Sequence, residues 1–161
     1  MEQRLTEGAR APEFSLRDQS GKIVKLSDFR GQKVLLYFYP KADTPGCTTQ
    51  SCAIRDARQD FRKLSVATLG ISPDTPEDQK KFDVKYSLGF PLLADTDHAT
   101  ADAYGVWGEK NLYGKKSMGI IRSSFLVDEK GVILHAWYRV KPDETVPKAK
   151  EALEQSAGAA R

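Results

Sequence analysis

Cysteine is scarce in this chain, with two in 161 residues, too few for the disulfide framework of a small secreted domain. Histidine is equally scarce. His98 and His135 stand alone, so with Cys47 and Cys52 they form no paired zinc-ligand pattern, and each is expected as a surface or hairpin residue. No apolar run approaches the roughly 20 residues of a membrane span, and the start MEQRLTEGARAPEF has no hydrophobic signal segment. An excess of one charge is missing too: 25 Lys and Arg against 22 Asp and Glu leave a net +3. That offers nucleic acid or an anionic membrane little to hold. With no repeat, low-complexity block or linker, one domain over 1–161 is expected, ending in a frayed tail at 156–161. A chain of this length buries about 70% of its unfolded surface and needs no covalent staple. The expected location is the cytoplasm, where a close cysteine pair is more often catalytic, redox-sensing or metal-binding than permanently bonded.

The pattern along the chain is α/β. Short apolar segments at 14–16 and 23–26 flank a turn-rich RDQSGK and predict an N-terminal hairpin. The run VLLYFY at 34–39 is continuously apolar, as a strand covered on both faces requires, and stops at Pro40. Ala53, Ile54, Ala57, Phe61 and Leu64 then recur at helical spacing, and 66–71 reads as the next strand. This βαβ unit places ligands beyond the carboxyl ends of its strands, where Cys47 falls. Thr75 and Pro76 open a helix to about Tyr86, 90–93 is a short strand and 99–104 a short helix. The Gly- and Lys-rich stretch 105–119 reads as a loop, 123–127 and 132–137 as a second hairpin, and 143–155 as the last helix.

The stretch TPGCTTQSC, residues 44–52, holds both cysteines. Thr44 is a suitable N-cap and Pro45 a suitable first helical residue, which puts Cys47 in the first turn. There the positive end of the helix dipole and unpaired backbone N–H groups favour a thiolate, the nucleophilic form of cysteine. The plainer alternative is a small buried hydrophobe. In a continuous helix the Cα atoms of Cys47 and Cys52 lie about 8.6 Å apart, beyond the limit of about 7 Å for a disulfide. The pair therefore bonds only if that turn unwinds. No C-x-x-C motif is present, which argues against general disulfide exchange.

The segment PKADTPGC, residues 40–47, resembles the P-x-x-x-T-x-x-C signature of peroxiredoxins. TPGCTTQSC, with YGVWGEK from Tyr104 and YGKKSMGIIRSSF from Tyr113, is similar to the Q-type, or bacterioferritin-comigratory-protein, branch. The likeness spans nearly the whole chain from Ala11, with small departures at Ser124, where Thr is commoner, and Gln50, where Glu or Gln occurs. It implies a thioredoxin-like fold, a central mixed β-sheet flanked by helices with an N-terminal β-hairpin, and an antioxidant thiol peroxidase. By the resemblance, Cys47 attacks hydrogen peroxide or an organic hydroperoxide and becomes a sulfenic acid. Cys52 resolves it as an intramolecular disulfide, and thioredoxin or a similar dithiol reduces that bond. Thr44 would hydrogen-bond thiolate and peroxide, Arg122 would hold the thiolate charged and polarise the peroxide, and Pro40 would shield the site. A monomer without metal or other cofactor is implied. From the residues alone, Thr44 could merely cap the helix and Arg122 could belong to a surface cluster with Lys115 and Lys116. Those lysines, with Arg55 and Asp56, are expected on solvated faces, and Trp107 and Trp137 as packing residues. A second class remains, a redox switch or holdase-like interaction protein using the same unwinding. It predicts slow peroxide turnover with redox-dependent partner binding.

Overall fold

The computed structural model describes residues 4–112 and 114–159. Its centre is the apolar run foreseen at 34–39: β3, Lys33–Phe38, has every side chain from Val34 onward buried. Both faces are covered because alternate residues serve different cores. Val34, Leu36 and Phe38 join Leu69, Ile71, Tyr104 and Phe125 on one side, while Leu35 and Tyr37 face the helices on the other. On one side β3 pairs in parallel with β4, Val66–Ser72, which pairs in parallel with β5, Leu92–Ala94. On the other it pairs antiparallel with β8, Ser123–Val127, which is followed by β9, Ile133–Trp137. The expected N-terminal hairpin, β1 Ser15–Arg17 and β2 Ile23–Lys25, extends the far edge, giving the order β2-β1-β5-β4-β3-β8-β9. The register fixes where chemistry can occur: Phe38 lies opposite both Ile71 and Ser123. The carboxyl end of β3 thus meets the start of β8, and Arg122 is the residue before it.

Helix α1, Pro45–Lys63, runs back across the sheet. Its buried stripe of Ile54, Ala57 and Phe61 packs among Leu35, Val66, Leu126 and Tyr37, and each large side chain so buried contributes roughly 1.5–3 kcal/mol. Helix α4, Thr145–Ala159, lies against the same face through Ala149, Ala152 and Leu153. Helix α2, Pro76–Tyr86, is capped by the Thr75 hydroxyl, which accepts from the Asp78 amide at 3.2 Å, and it ends at Ser87 in the left-handed region at φ 51°. A short helix α3, Ala99–Ala103, covers the opposite face.

The largest departure from the sequence expectation is at 105–119. This stretch is not a loop but a two-stranded hairpin, β6 Trp107–Leu112 and β7 Lys115–Ile120. It continues inward, since the Ile121 amide donates to the Val106 carbonyl at 2.7 Å. Alternation is masked in the sequence because glycines and lysines occupy both faces of strands that stand outside the main sheet. Gly114 in its turn has φ 80°, and Tyr113 lies outside the described residues. The last helix reaches Ala159 rather than 155; of the expected frayed tail, 160–161 lie outside the described residues.

Candidate active site

The loop between β3 and α1 is pinned before it reaches Cys47. The Ala42 amide donates to the Asp74 carboxylate at 2.8 Å, and the Ser72 hydroxyl donates to the same carboxylate at 2.6 Å. Asp43, in the left-handed region at φ 59°, accepts from Lys85 and from the Tyr86 hydroxyl, each at 2.8 Å. Those two bonds from the end of α2 hold the Asp43 carboxyl below its ordinary range. Asp is among the few residues that enter the left-handed region readily.

Cys47 then falls in the first turn of α1 and is fully buried. Arg122 reaches across from the start of β8 and places Nη2 at 3.4 Å from Sγ. Its Nη1 donates to Gln50 Oε1 at 2.6 Å, so both ends of the guanidinium edge are fixed. Gly46 makes the approach possible, because a Cβ there would stand 2.9 Å from Arg122 Nη2 and 3.3 Å from Pro142 Cγ. Beyond Gln50 the bonds continue inward. Gln50 Nε2 donates to Thr145 Oγ1 at 2.9 Å, and the Thr145 and Ser124 hydroxyls bond each other at 2.8 Å.

The β6–β7 hairpin adds a second cation. The Lys110 stem lies beside Gly119, with Cδ 3.5 Å from where a Cβ would be. Burial first, then the Arg122 charge, push the Lys110 ammonium below the ordinary lysine range, and Cys47 acts in the opposite sense.

Cys52 lies on the same helix, half-buried beside the Tyr37 and Tyr39 cluster, and both cysteines are free. Between them Ser51 is hydrogen-bonded to the Tyr37 hydroxyl at 2.8 Å. Burial pushes the Tyr37 hydroxyl far above the usual tyrosine range, so it remains protonated as a partner for Ser51.

Of the residues singled out by sequence, Cys47 and Arg122 are in contact. Pro40 is half-buried where β3 gives way to the loop. Thr44 occupies the N-cap position, but its hydroxyl makes no cap bond and instead donates to the Lys41 carbonyl at 2.8 Å. The turn 41–44 has captured it, a competition typical of Thr side chains beside backbone carbonyls. Arg55 is half-buried rather than solvated, donating to the Tyr86 carbonyl at 2.7 Å. His98 stacks on Trp107 at 3.8 Å and His135 on Trp137 at 5.2 Å, at partly exposed positions. The sequence reading passed over Thr145 and gave no site role to the side chains of Gln50 and Ser124, which it noted only as small departures from the family pattern, while Gly46 was expected to act through its backbone alone. One signal was available: Gln50 continues the stripe 54, 57, 61 toward the N-terminus, and a polar side chain on a buried stripe needs buried partners.

A thioredoxin-like fold carrying a buried thiol against an arginine defines the class, and comparison with known proteins specifies it as a thiol peroxidase. The chain belongs to the AhpC/TSA family, whose model matches residues 8–136. It is 52% identical over 133 residues to peroxiredoxin Bcp of Escherichia coli K12, covering 83% of this chain and 85% of that protein. It is 50% identical over 137 residues to the putative peroxiredoxin bcp of Haemophilus influenzae, covering 85% and 88%. Among solved structures, the bacterioferritin comigratory protein of Xanthomonas campestris, studied for its alkyl peroxide reduction activity, superposes with a TM-score of 0.82 at 32% identity, covering all of both chains. No helix among the described residues is long and apolar enough to cross a membrane.

Proposed function

We propose that this protein reduces hydrogen peroxide and organic hydroperoxides through Cys47, with Cys52 resolving the oxidised sulfur and an external dithiol such as thioredoxin restoring both thiols. The observation that carries the reading is the 3.4 Å contact between Arg122 Nη2 and Cys47 Sγ at the start of a helix. A cation and the first-turn amides stabilise the thiolate. The thiolate attacks one peroxide oxygen, the O–O bond breaks, and the other oxygen leaves as an alcohol or water after taking a proton. Cys47 becomes a sulfenic acid. Arg122 acts on the negative charge as it moves from sulfur to the leaving oxygen, the circumstance in which a preorganised donor counts most. The Thr44 hydroxyl exchanges its bond to Lys41 for one to the thiolate and peroxide, and Pro40 limits water at the rim. Because Cys47 is fully covered, a peroxide enters only as the side chains over the first turn shift.

The sulfenic acid then condenses with the Cys52 thiol, releasing water and forming a disulfide within one chain. Helix α1 is continuous from Pro45, and in such a helix the two Cα atoms lie about 8.6 Å apart, so its first turns open at this step. Neither step requires a second subunit, in keeping with a monomer in a reducing compartment such as the cytoplasm. The test is peroxide consumption coupled to thioredoxin, with a map of disulfides after one equivalent of peroxide. Cys47→Ser abolishes turnover, and a Cys47→Ser protein that keeps the wild-type rate overturns the reading.

A further inference from the structure

The bonds beyond Gln50 lead away from the sulfur into the body of the protein. Gln50, Thr145 and Ser124 come from α1, α4 and β8 and are 0%, 1% and 0% exposed. Buried polar atoms require partners, so the set must be read as donors meeting acceptors. Arg122 can only donate, which turns the Gln50 carbonyl toward it and leaves the Gln50 amide nitrogen facing inward. That nitrogen needs an acceptor, and Thr145 Oγ1 supplies it at 2.9 Å. Ser124, two residues beyond Arg122, in turn holds the Thr145 hydroxyl at 2.8 Å.

The segment that leads into α4 is attached to Arg122 by a second route. The Val140 amide donates to the Arg122 carbonyl at 2.9 Å, and Pro142 lies over Gly46, 3.3 Å from where its Cβ would be. Backbone and side chain of Arg122 are therefore both referenced to the entry of the last helix. A guanidinium fixed at Nη1 has its other nitrogen aimed by the planar fork rather than by a flexible stem.

We infer that Thr145 is a positioning residue for the thiol chemistry: through Gln50 it sets the orientation in which Arg122 meets Cys47. This rests on the peroxidase reading above for its consequence but not for its geometry. The other titratable groups that act with Cys47 are Lys110 on β6 and Tyr37 beneath α1, and variants at 145 leave both in place.

The test compares Thr145→Val, which replaces the hydroxyl by a methyl group, with Thr145→Ser, which keeps it. The readouts are the pH profile of Cys47 ionisation, followed by ultraviolet thiolate absorbance with Cys52→Ala as background, and the single-turnover rate with hydrogen peroxide. In Thr145→Val the profile moves up by about one pH unit, a tenfold weaker preference for the thiolate, and the single-turnover rate falls by up to about tenfold at pH values below the parent midpoint. Thr145→Ser stays within about twofold of the parent. A folded Thr145→Val protein with the parent profile overturns the inference, and so does an equal shift in both variants, since the hydroxyl would then not be the cause. If Thr145→Val does not fold, Ser124→Ala decides: a smaller shift in the same direction supports the relay and an unchanged profile overturns it. The titration uses no peroxide. A parent protein that leaves peroxide untouched would therefore remove the peroxidase reading while leaving the positioning role to stand or fall on the profile.

Discussion

The two ends of α1 are held by different forces. Up to Cys52 the helix is fastened by polar bonds: Arg122 to Gln50, Gln50 to Thr145 and Ser51 to Tyr37. From Ile54 onward it is fastened by apolar burial, with Ile54 and Phe61 fully covered. Arg55 and Arg58 also tie that half to the carbonyls of Tyr86 and Leu88, at 2.7 and 2.9 Å. The difference is energetic. A hydrogen bond exchanged for one to water costs only about 0.5–1.5 kcal/mol net, whereas exposing a large apolar side chain costs roughly 1.5–3 kcal/mol. The front of the helix can therefore open while the rear stays seated, and the boundary falls just after Cys52. The boundary leaves both cysteines in the polar-fastened part of the helix.

The largest expected effect separates the halves. Phe61→Ala leaves a cavity in the rear and should lower global stability by about 3–5 kcal/mol in denaturant unfolding. The peroxide rate per folded molecule should be unchanged; a parallel fall in rate would mean that the halves are one unit. A smaller and opposite effect is expected from Ser51→Ala. It leaves the buried Tyr37 hydroxyl without its partner at a cost of about 1–3 kcal/mol, but only while the front is closed. Opening is favoured, so disulfide formation after oxidation should speed up on the order of tenfold. Hydrogen exchange should show the added lability over 46–53 and not past Ile54. Exchange spreading evenly along α1 would contradict the boundary.

Much of this was legible in the sequence because it depends on local pattern. The run 34–39 is apolar throughout, which only a strand covered on both faces explains, and Pro45 before Cys47 marks a helix start. Arg122 was set beside Cys47 by the family resemblance, since the residues alone left it open to a surface cluster, and the structure supplies the reason by bringing the start of β8 to the carboxyl end of β3. What escaped has non-local causes. The hairpin at 107–120 hid its alternation because β7 is exposed from Lys115 to Met118 and the half-buried and buried positions of β6 include Lys110 and Gly108, so no apolar period marks it. Thr145 sits 95 residues from Gln50, and no spacing rule connects a threonine opening one helix to a glutamine in another. Thr44 has the composition of a cap and the position of a cap, yet its hydroxyl turned to the Lys41 carbonyl, a choice between two nearby partners that composition does not decide.

The smallest expected effect concerns the loop before the front end. Asp43 is held by Lys85 and Tyr86 on the surface, where ion pairs add little to stability. They tie the loop that leads to Cys47 to the end of α2. The Asp43 carboxyl is lowered from 3.8 by its bonds to Lys85 and then Tyr86, so its contribution is complete above that value and disappears as pH falls through the lower folded one. Lys85 is raised from 10.5 by the same pairing, so its contribution is complete below 10.5 and disappears as pH rises through the higher folded value. The clip is thus complete between about pH 4 and pH 10. Asp43→Asn should leave global unfolding within experimental scatter and increase backbone exchange at 41–44 near neutral pH. Below the pH at which Asp43 protonates, wild type and variant should converge. A difference that persists in acid would mean that the Asn side chain disturbs the left-handed turn itself, and that the carboxylate charge is not what holds the front of α1 in register.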